Sequence, residues 1–214
     1  MKSGSTPAAA SRFRPLVFVR WAITASTVAA SAACGPRATE IRLESLRDPA
    51  NPVVYAESFD TAYFRVNERD RWDIVLFNRR ASEQDPNQTI EQFLHLRLFW
   101  RPIPGTTYAE SSQTDAVIRY CLATGPAAAT YDGAGFVYLS VGRNRATLSG
   151  RIESANLAPS RQAGGARDLF GTCRLTGEFV ARQDAGRTTA LLTQLAGRMG
   201  VKSDSPLQVT SQTP

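Results

Sequence analysis

Period-two alternation governs most of this chain between residues 40 and 181, and few folds satisfy it. Apolar and polar residues that alternate one by one point to opposite faces of an extended backbone, so each such run marks a half-buried strand. Ile41 and Leu43 alternate with Arg42 and Glu44. A second short strand is expected from Pro52 to Phe59. Ala62 to Val66 and Trp72 to Phe77 flank the charged segment Asn67-Glu68-Arg69-Asp70-Arg71 and read as a hairpin with a polar loop. Phe93 to Trp100 is the clearest strand: Leu94, Leu96, Leu98 and Trp100 share one face, and His95 and Arg97 share the other with two phenylalanines. Both faces are covered, which places this strand centrally. Ala116 to Leu122, Gly135 to Val141, Ala146 to Ala155 and Cys173 to Ala181 follow, with Gly, Pro and Asn in the gaps.

Two of these strands share a pattern, Leu148-Ser149-Gly150-Arg151-Ile152 and Leu175-Thr176-Gly177-Glu178-Phe179. In each the glycine falls on the apolar face, where it lets a sheet bend or admits a large ring from opposite. Arg151 and Glu178 then point outward and are expected to pair across strands. From Asp184 the period changes. Leu191, Leu192, Leu195 and Met199 form one stripe at helical spacing, with Gly200 as the stop. The fold class is therefore all-β, about eight or nine antiparallel strands forming a sandwich or a barrel, with one amphipathic helix over residues 184–199 covering an edge or end of the sheet. At 214 residues the chain accommodates one such domain, from 40 to 200, and the polar stretch 201–214 is expected to be an unordered tail.

Residues 1–20 carry four basic side chains and no acidic one, and Trp21 to Ala33 are thirteen uncharged, mostly small or apolar residues. That is the pattern of a secretory signal over residues 1–33, too short for a membrane-spanning helix of about 20 residues. Its end, Ser31-Ala32-Ala33-Cys34-Gly35, resembles the signal of bacterial lipoproteins, in which two small residues precede a cysteine that becomes acylated. Ser31 departs from that pattern, where Leu is usual, and small residues at 31 and 33 also suit ordinary signal peptidase; a retained N-terminal helix is the third alternative. The resemblance implies lipidation at Cys34, a tether over residues 34–39, and an exported domain held at the membrane of the cell envelope. Gly35 rather than Asp after the cysteine favours the outer membrane.

If Cys34 carries lipid, Cys121 and Cys173 remain as a pair in an oxidising compartment. A disulfide between them would close a loop of about 52 residues and stabilise the fold by roughly 4 kcal/mol; two buried free thiols are the alternative. Export also changes the electrostatics. The formal charge of +6 includes Lys2, Arg12, Arg14 and Arg20, and without them 21 basic residues face 19 acidic ones. Such a balance leaves no footprint for nucleic acid.

Catalytic and cofactor motifs are missing from the sequence: no G-x-S-x-G, H-E-x-x-H, C-x-x-C or P-loop occurs. His95, the one histidine, stands inside the best strand and reads as a hydrogen-bonded structural residue. Asn67, Glu68, Asp70 and Asp73 lie close enough to suggest calcium, but Arg69 and Arg71 between them would repel the ion, and a polar hairpin tip is the better reading. No cofactor or metal is expected. Two long segments, Arg101 to Asp115 and Gly125 to Gly135, read as loops, and Trp100, Tyr108 and Tyr131 are the candidate ligand-binding residues on or beside them. The leading expectation is a non-enzymatic envelope lipoprotein serving as a binding or structural module, whose partner is an envelope protein or a small ligand. A lipocalin-like carrier of a small apolar ligand and a carbohydrate-binding or carbohydrate-active domain are the alternatives.

Overall fold

The alternation closes into a barrel rather than a sandwich. A computed structural model of the chain describes residues 39–67, 71–83, 85–98 and 116–200. Among these residues are nine strands and one helix: β1 (Glu40–Ser45), β2 (Val54–Ser58), β3 (Thr61–Val66), β4 (Trp72–Ala81), β5 (Thr89–Leu98), β6 (Ala116–Thr124), β7 (Ala127–Val141), β8 (Thr147–Ala163), β9 (Cys173–Gln183) and α1 (Ala185–Arg198). Strands β3 to β8 form an antiparallel meander, and β9 pairs with β8 along one edge. The other edge of β9 is divided. Its first half pairs with β1, which carries β2 outside it, and its end pairs in parallel with β3 at Tyr63↔Arg182 and Phe64↔Gln183. Seven strands thus close on themselves, with β1 and β2 as an added ribbon.

Closure sorts the side chains. The inward positions of the strands meet in one cluster that includes Phe64, Ile74, Leu76, Leu94, Leu96, Ile118, Tyr120, Tyr131, Leu175 and Phe179, all 2% exposed or less. A second, smaller cluster lies on the outer wall, where Phe93, Cys121, Ala123 and Ala128 are covered by Leu195 of α1 and by Met199 at its C-cap. Of the stripe read from the sequence, Leu191, Leu195 and Met199 are therefore the residues that pack on the barrel. Asp184 caps the helix by accepting a hydrogen bond from the backbone N–H of Arg187 at 2.9 Å, which satisfies one of the unpaired donors of its first turn.

Inward glycines are explained by what lies over them. A Cβ on Gly150 would stand 2.2 Å from the Phe179 ring of its cross-strand partner, so the glycine is the seat for that ring. Arg151 and Glu178 are neighbours across β8 and β9 as expected, but the ion pair of Arg151 is with Glu153, at 2.8 Å.

Two expectations are corrected. Gly125 to Gly135 is no long loop: a Gly125-Pro126 turn leads into β7, whose small residues Ala127 to Thr130 pair across to β8. Alanine runs carry little strand propensity, and here the ladder on both sides overrides it. Nor do Cys121 and Cys173 form a disulfide. Both are buried free thiols. Cys121 packs outward under α1 and Cys173 packs in the barrel interior, so the wall separates their sulfurs. Burial pushes the Cys121 thiol up to about 12 and that of Cys173 to about 11, which keeps both protonated and inert. Cys34 with the rest of residues 1–38, Glu68 to Asp70 of the hairpin loop, Trp100, the segment holding Tyr108 and the tail 201–214 lie outside the described residues.

Both thiols should stay unreactive to a disulfide-exchange reagent in the folded Cys34→Ala chain. Two should be titrated once the unreduced protein is unfolded in guanidinium; titration of none would mean a bridge.

Candidate functional site

On the outer wall, three neighbouring strands bring together one carboxylate and the groups that hold it. Arg65 on β3, Asp73 on β4 and Arg97 on β5 are consecutive cross-strand partners. Asp73 is fully buried and accepts from Nε of Arg97 at 3.0 Å, from Nε2 of His95 at 2.9 Å, and from Nε and Nη2 of Arg65 at 3.3 and 3.2 Å. Arg65 reaches onward, donating from Nη1 to Thr189 Oγ1 of α1 at 2.7 Å. Burial alone would raise the Asp73 carboxyl, but the hydrogen bond and charge of His95, followed by Arg97, hold it well below the usual carboxylate range. His95 is pushed down chiefly by burial, with the charges of Arg97 and Arg119 adding to it against the pull of Asp73. It is therefore a neutral imidazole at pH 7, donating its Nε2–H to Asp73.

An open cleft of about 510 Å³ lies over this network. Its walls are Arg65, Arg97, Asn67 and Arg71 from the strands and hairpin, with Ala185 and Thr189 from the first turns of α1; Asp73 is at its floor. Among the described lining residues three guanidinium groups stand against one carboxylate. Arg65 and Arg97 are tied down by Asp73, whereas Arg71 makes no ion pair among the described residues. The arrangement presents pre-positioned N–H donors to an anion.

Further along the same wall Glu91, 2% exposed at its side chain, anchors the end of the helix. It accepts from Arg79 Nε at 3.0 Å, Gln194 at 3.3 Å and Arg198 Nε at 2.8 Å. Among the described residues no group of three or more His, Cys, Asp or Glu side chains comes together to hold a metal.

Of the residues singled out from sequence, Trp100 and Tyr108 lie outside the described residues, and Tyr131 is not part of this cleft. Tyr131 sits in β7 with its ring inside the barrel; its hydroxyl donates to Asp168 at 3.0 Å and accepts from the N–H groups of Leu169 and Phe170 at 2.9 and 3.4 Å. It is a brace for the β8–β9 connection. His95 is buried in β5 and hydrogen-bonded to Asp73. Asp73 lies in β4, within the strand read from Trp72 to Phe77, and the sequence signal was its place in Trp72-Asp73-Ile74-Val75-Leu76, where an aspartate amid apolar neighbours must be paired. No family model matches the chain, and no curated protein or solved structure is significantly similar to it.

Asp73→Ala should cost about 3–5 kcal/mol of stability in urea unfolding, because it leaves two arginines and an imidazole without their acceptor. The pH profile isolates His95, the one histidine of the chain. Its folded pKa lies below the unfolded value near 6.5, so between the two the unfolded chain binds a proton that the folded chain refuses, and stability falls as pH drops through that window. Asp73 and Glu91 are depressed carboxylates; their contributions are complete above about pH 4–4.5 and are lost only below that. Wild type should thus lose up to roughly 1.4 kcal/mol per pH unit below 6.5. The His95→Gln chain should be flat from pH 6.5 to 5, and an unchanged slope would assign the effect elsewhere.

Proposed function

We propose that this chain is a membrane-tethered, non-enzymatic binding module that captures a small anionic ligand, through a phosphate or carboxylate group, in the cleft walled by Arg65, Arg71 and Arg97. One observation carries the reading: a fully buried aspartate holds two arginines at an open cleft that a third arginine also lines. Arginine forks fixed in advance lose little freedom when they close on an oxyanion, and their hydrogen bonds to it are charge-assisted. The volume exceeds that of a bare oxyanion and leaves room for the body of a larger molecule. Buried Asp73 and neutral His95 serve that purpose without chemistry of their own, since the carboxylate is fully engaged and the imidazole lies beneath the arginines.

The tether belongs to the same reading. Lipidation at Cys34 would hold the domain at the envelope membrane, outer membrane favoured by Gly35, and two or three acyl chains make such attachment persistent. A module of this kind needs affinity for its ligand and an address, and no cofactor.

Titration of the protein with inorganic phosphate and with succinate at low ionic strength, followed by ¹H–¹⁵N NMR of the arginine Nε–H groups, tests the site. Saturable shifts are expected at Arg65, Arg71 and Arg97. Arg71→Gln, which leaves the Asp73 network intact, should weaken binding about tenfold. Absence of saturable binding by either anion, or an unaltered affinity in Arg71→Gln, would remove the proposal. The tether is tested separately: a clickable fatty acid should label wild type and not Cys34→Ala.

A further inference from the structure

Among the described residues the barrel wall is left without a ladder along the end of β4. β3 pairs with β4 only as far as Thr61↔Phe77, whereas β4 continues to Ala81 on its β5 side. Facing that free stretch is β2, which is paired to β1, and among the described residues no ladder joins β2 to β4. Side chains cross the gap instead. Arg80 donates to the hydroxyl of Tyr55 and pairs with Glu57, both at 3.0 Å; Gln92, fully buried, donates to the same two groups at 2.7 and 3.1 Å. Tyr120 donates to the carbonyl oxygen of Gln92 at 3.2 Å from deeper inside. In this network one donor is left over: Nε of Arg80 is buried without a hydrogen-bond partner.

Behind the gap, the apolar space is filled by a residue from a connection rather than from a strand. Phe170, 3% exposed, packs its ring against Tyr55, Tyr120 and Tyr131, with centroids 5.8, 6.4 and 5.4 Å away. It is carried by the segment between β8 and β9, which has left-handed glycines at both ends: Gly164 and Gly165 (φ 60° and 78°) and Gly171 (φ 64°). It is held from within by the Tyr131 hydroxyl and by Ser45 Oγ, which donates to the carbonyl oxygen of Phe170 at 2.6 Å, and from outside by the ion pair between Asp168 and Arg47, the latter half exposed. A core of this size could be closed with aliphatic side chains and no polar atoms. Here it contains three tyrosine hydroxyls, a glutamine, an ion pair and an unused donor.

We infer that the position of Phe170, reached through the Tyr55–Glu57–Arg80 gap, is a second binding site, for a small planar ring bearing a hydrogen-bond acceptor oxygen. The ring replaces that of Phe170 among the three tyrosines, and the oxygen accepts from Arg80 Nε. Tyr55 links the halves, with its ring against Phe170 and its hydroxyl against Arg80. The site is distinct from the arginine cleft: Asp73 and Arg80 stand near opposite ends of β4, one facing out and the other in. Phe170 is then a built-in competitor, and apparent affinity scales with the fraction of chains in which its segment has swung out.

The test is a ¹⁹F NMR titration of the full chain with 4-fluoroacetophenone, using 4-fluoroethylbenzene as the probe that lacks the acceptor. Wild type should bind the ketone saturably and at least fivefold more tightly than the hydrocarbon. Arg80→Met should abolish that preference. Arg47→Gln, which removes the outer ion pair without touching the site, should tighten ketone binding about two- to fivefold, an effect that general destabilisation would not produce. Binding confined to a Phe170→Ala chain would mean an engineered void and overturns the inference. So would a ketone preference that survives Arg80→Met, or an Arg47→Gln affinity equal to or below that of wild type. The wild-type titration stands by itself if a variant fails to fold.

Discussion

The divided edge of β9 is the constraint on which the other features rest. Along Cys173 to Glu178 this strand pairs with β1, and only at Arg182 and Gln183 does it meet β3. That short parallel seam closes the barrel. It is extended by the backbone N–H of Asp184, which donates to Phe64 at 3.0 Å, and the same Asp184 then caps α1. Closure and helix initiation are one structural event, so the helix has no choice but to run along the outside of β3 and β4. The cleft needs the β3–β4–β5 row and the first turns of α1 together, and it exists only when the barrel is shut.

Once the helix lies there, two buried carboxylates fix it at both ends. Asp73 acts through Arg65 to Thr189, and Glu91 acts through Gln194 and Arg198. Burying a carboxylate is costly unless its charge and lone pairs are met, and in both cases at least three donors converge. The difference lies in what surrounds them. Glu91 is enclosed by groups that also anchor the helix, whereas Asp73 lies at the floor of an open cleft and holds its arginines toward solvent. The first is a fastening. The second is a fastening that leaves donors available.

Insertion of β1 between β9 and β2 has a further effect. It pushes β2 outward over the end of β4 without a ladder to join them, and the missing backbone hydrogen bonds are replaced by the Tyr55–Glu57–Arg80–Gln92 network. A wall closed by side chains can open by rotamer changes, whereas a laddered wall opens only by breaking several backbone pairs. This gives the barrel interior a polar boundary at one end and an apolar one elsewhere.

By itself the sequence determined the class and most of the elements, because strand and helix periodicity are local properties of which face meets water. The all-β assignment, the late helix and the inward face of Gly150 all follow from alternation and spacing; that a ring rather than a bend fills the space over Gly150 was decided by the pairing of β8 with β9. Element lengths were less legible: Ala127 to Thr130 and the end of β8 have weak local preference, and pairing with neighbours made them strand. Sandwich or barrel was left undecided because closure depends on two residue pairs between strands about 120 positions apart. The same holds for chemistry. Arg65, Asp73 and Arg97 are unremarkable in the sequence and become a cluster only through register, and the cysteines that suggested a bridge prove to face opposite sides of one wall. Only tertiary structure decides which side of a closed sheet each residue occupies, since inside and outside do not exist until the sheet has closed.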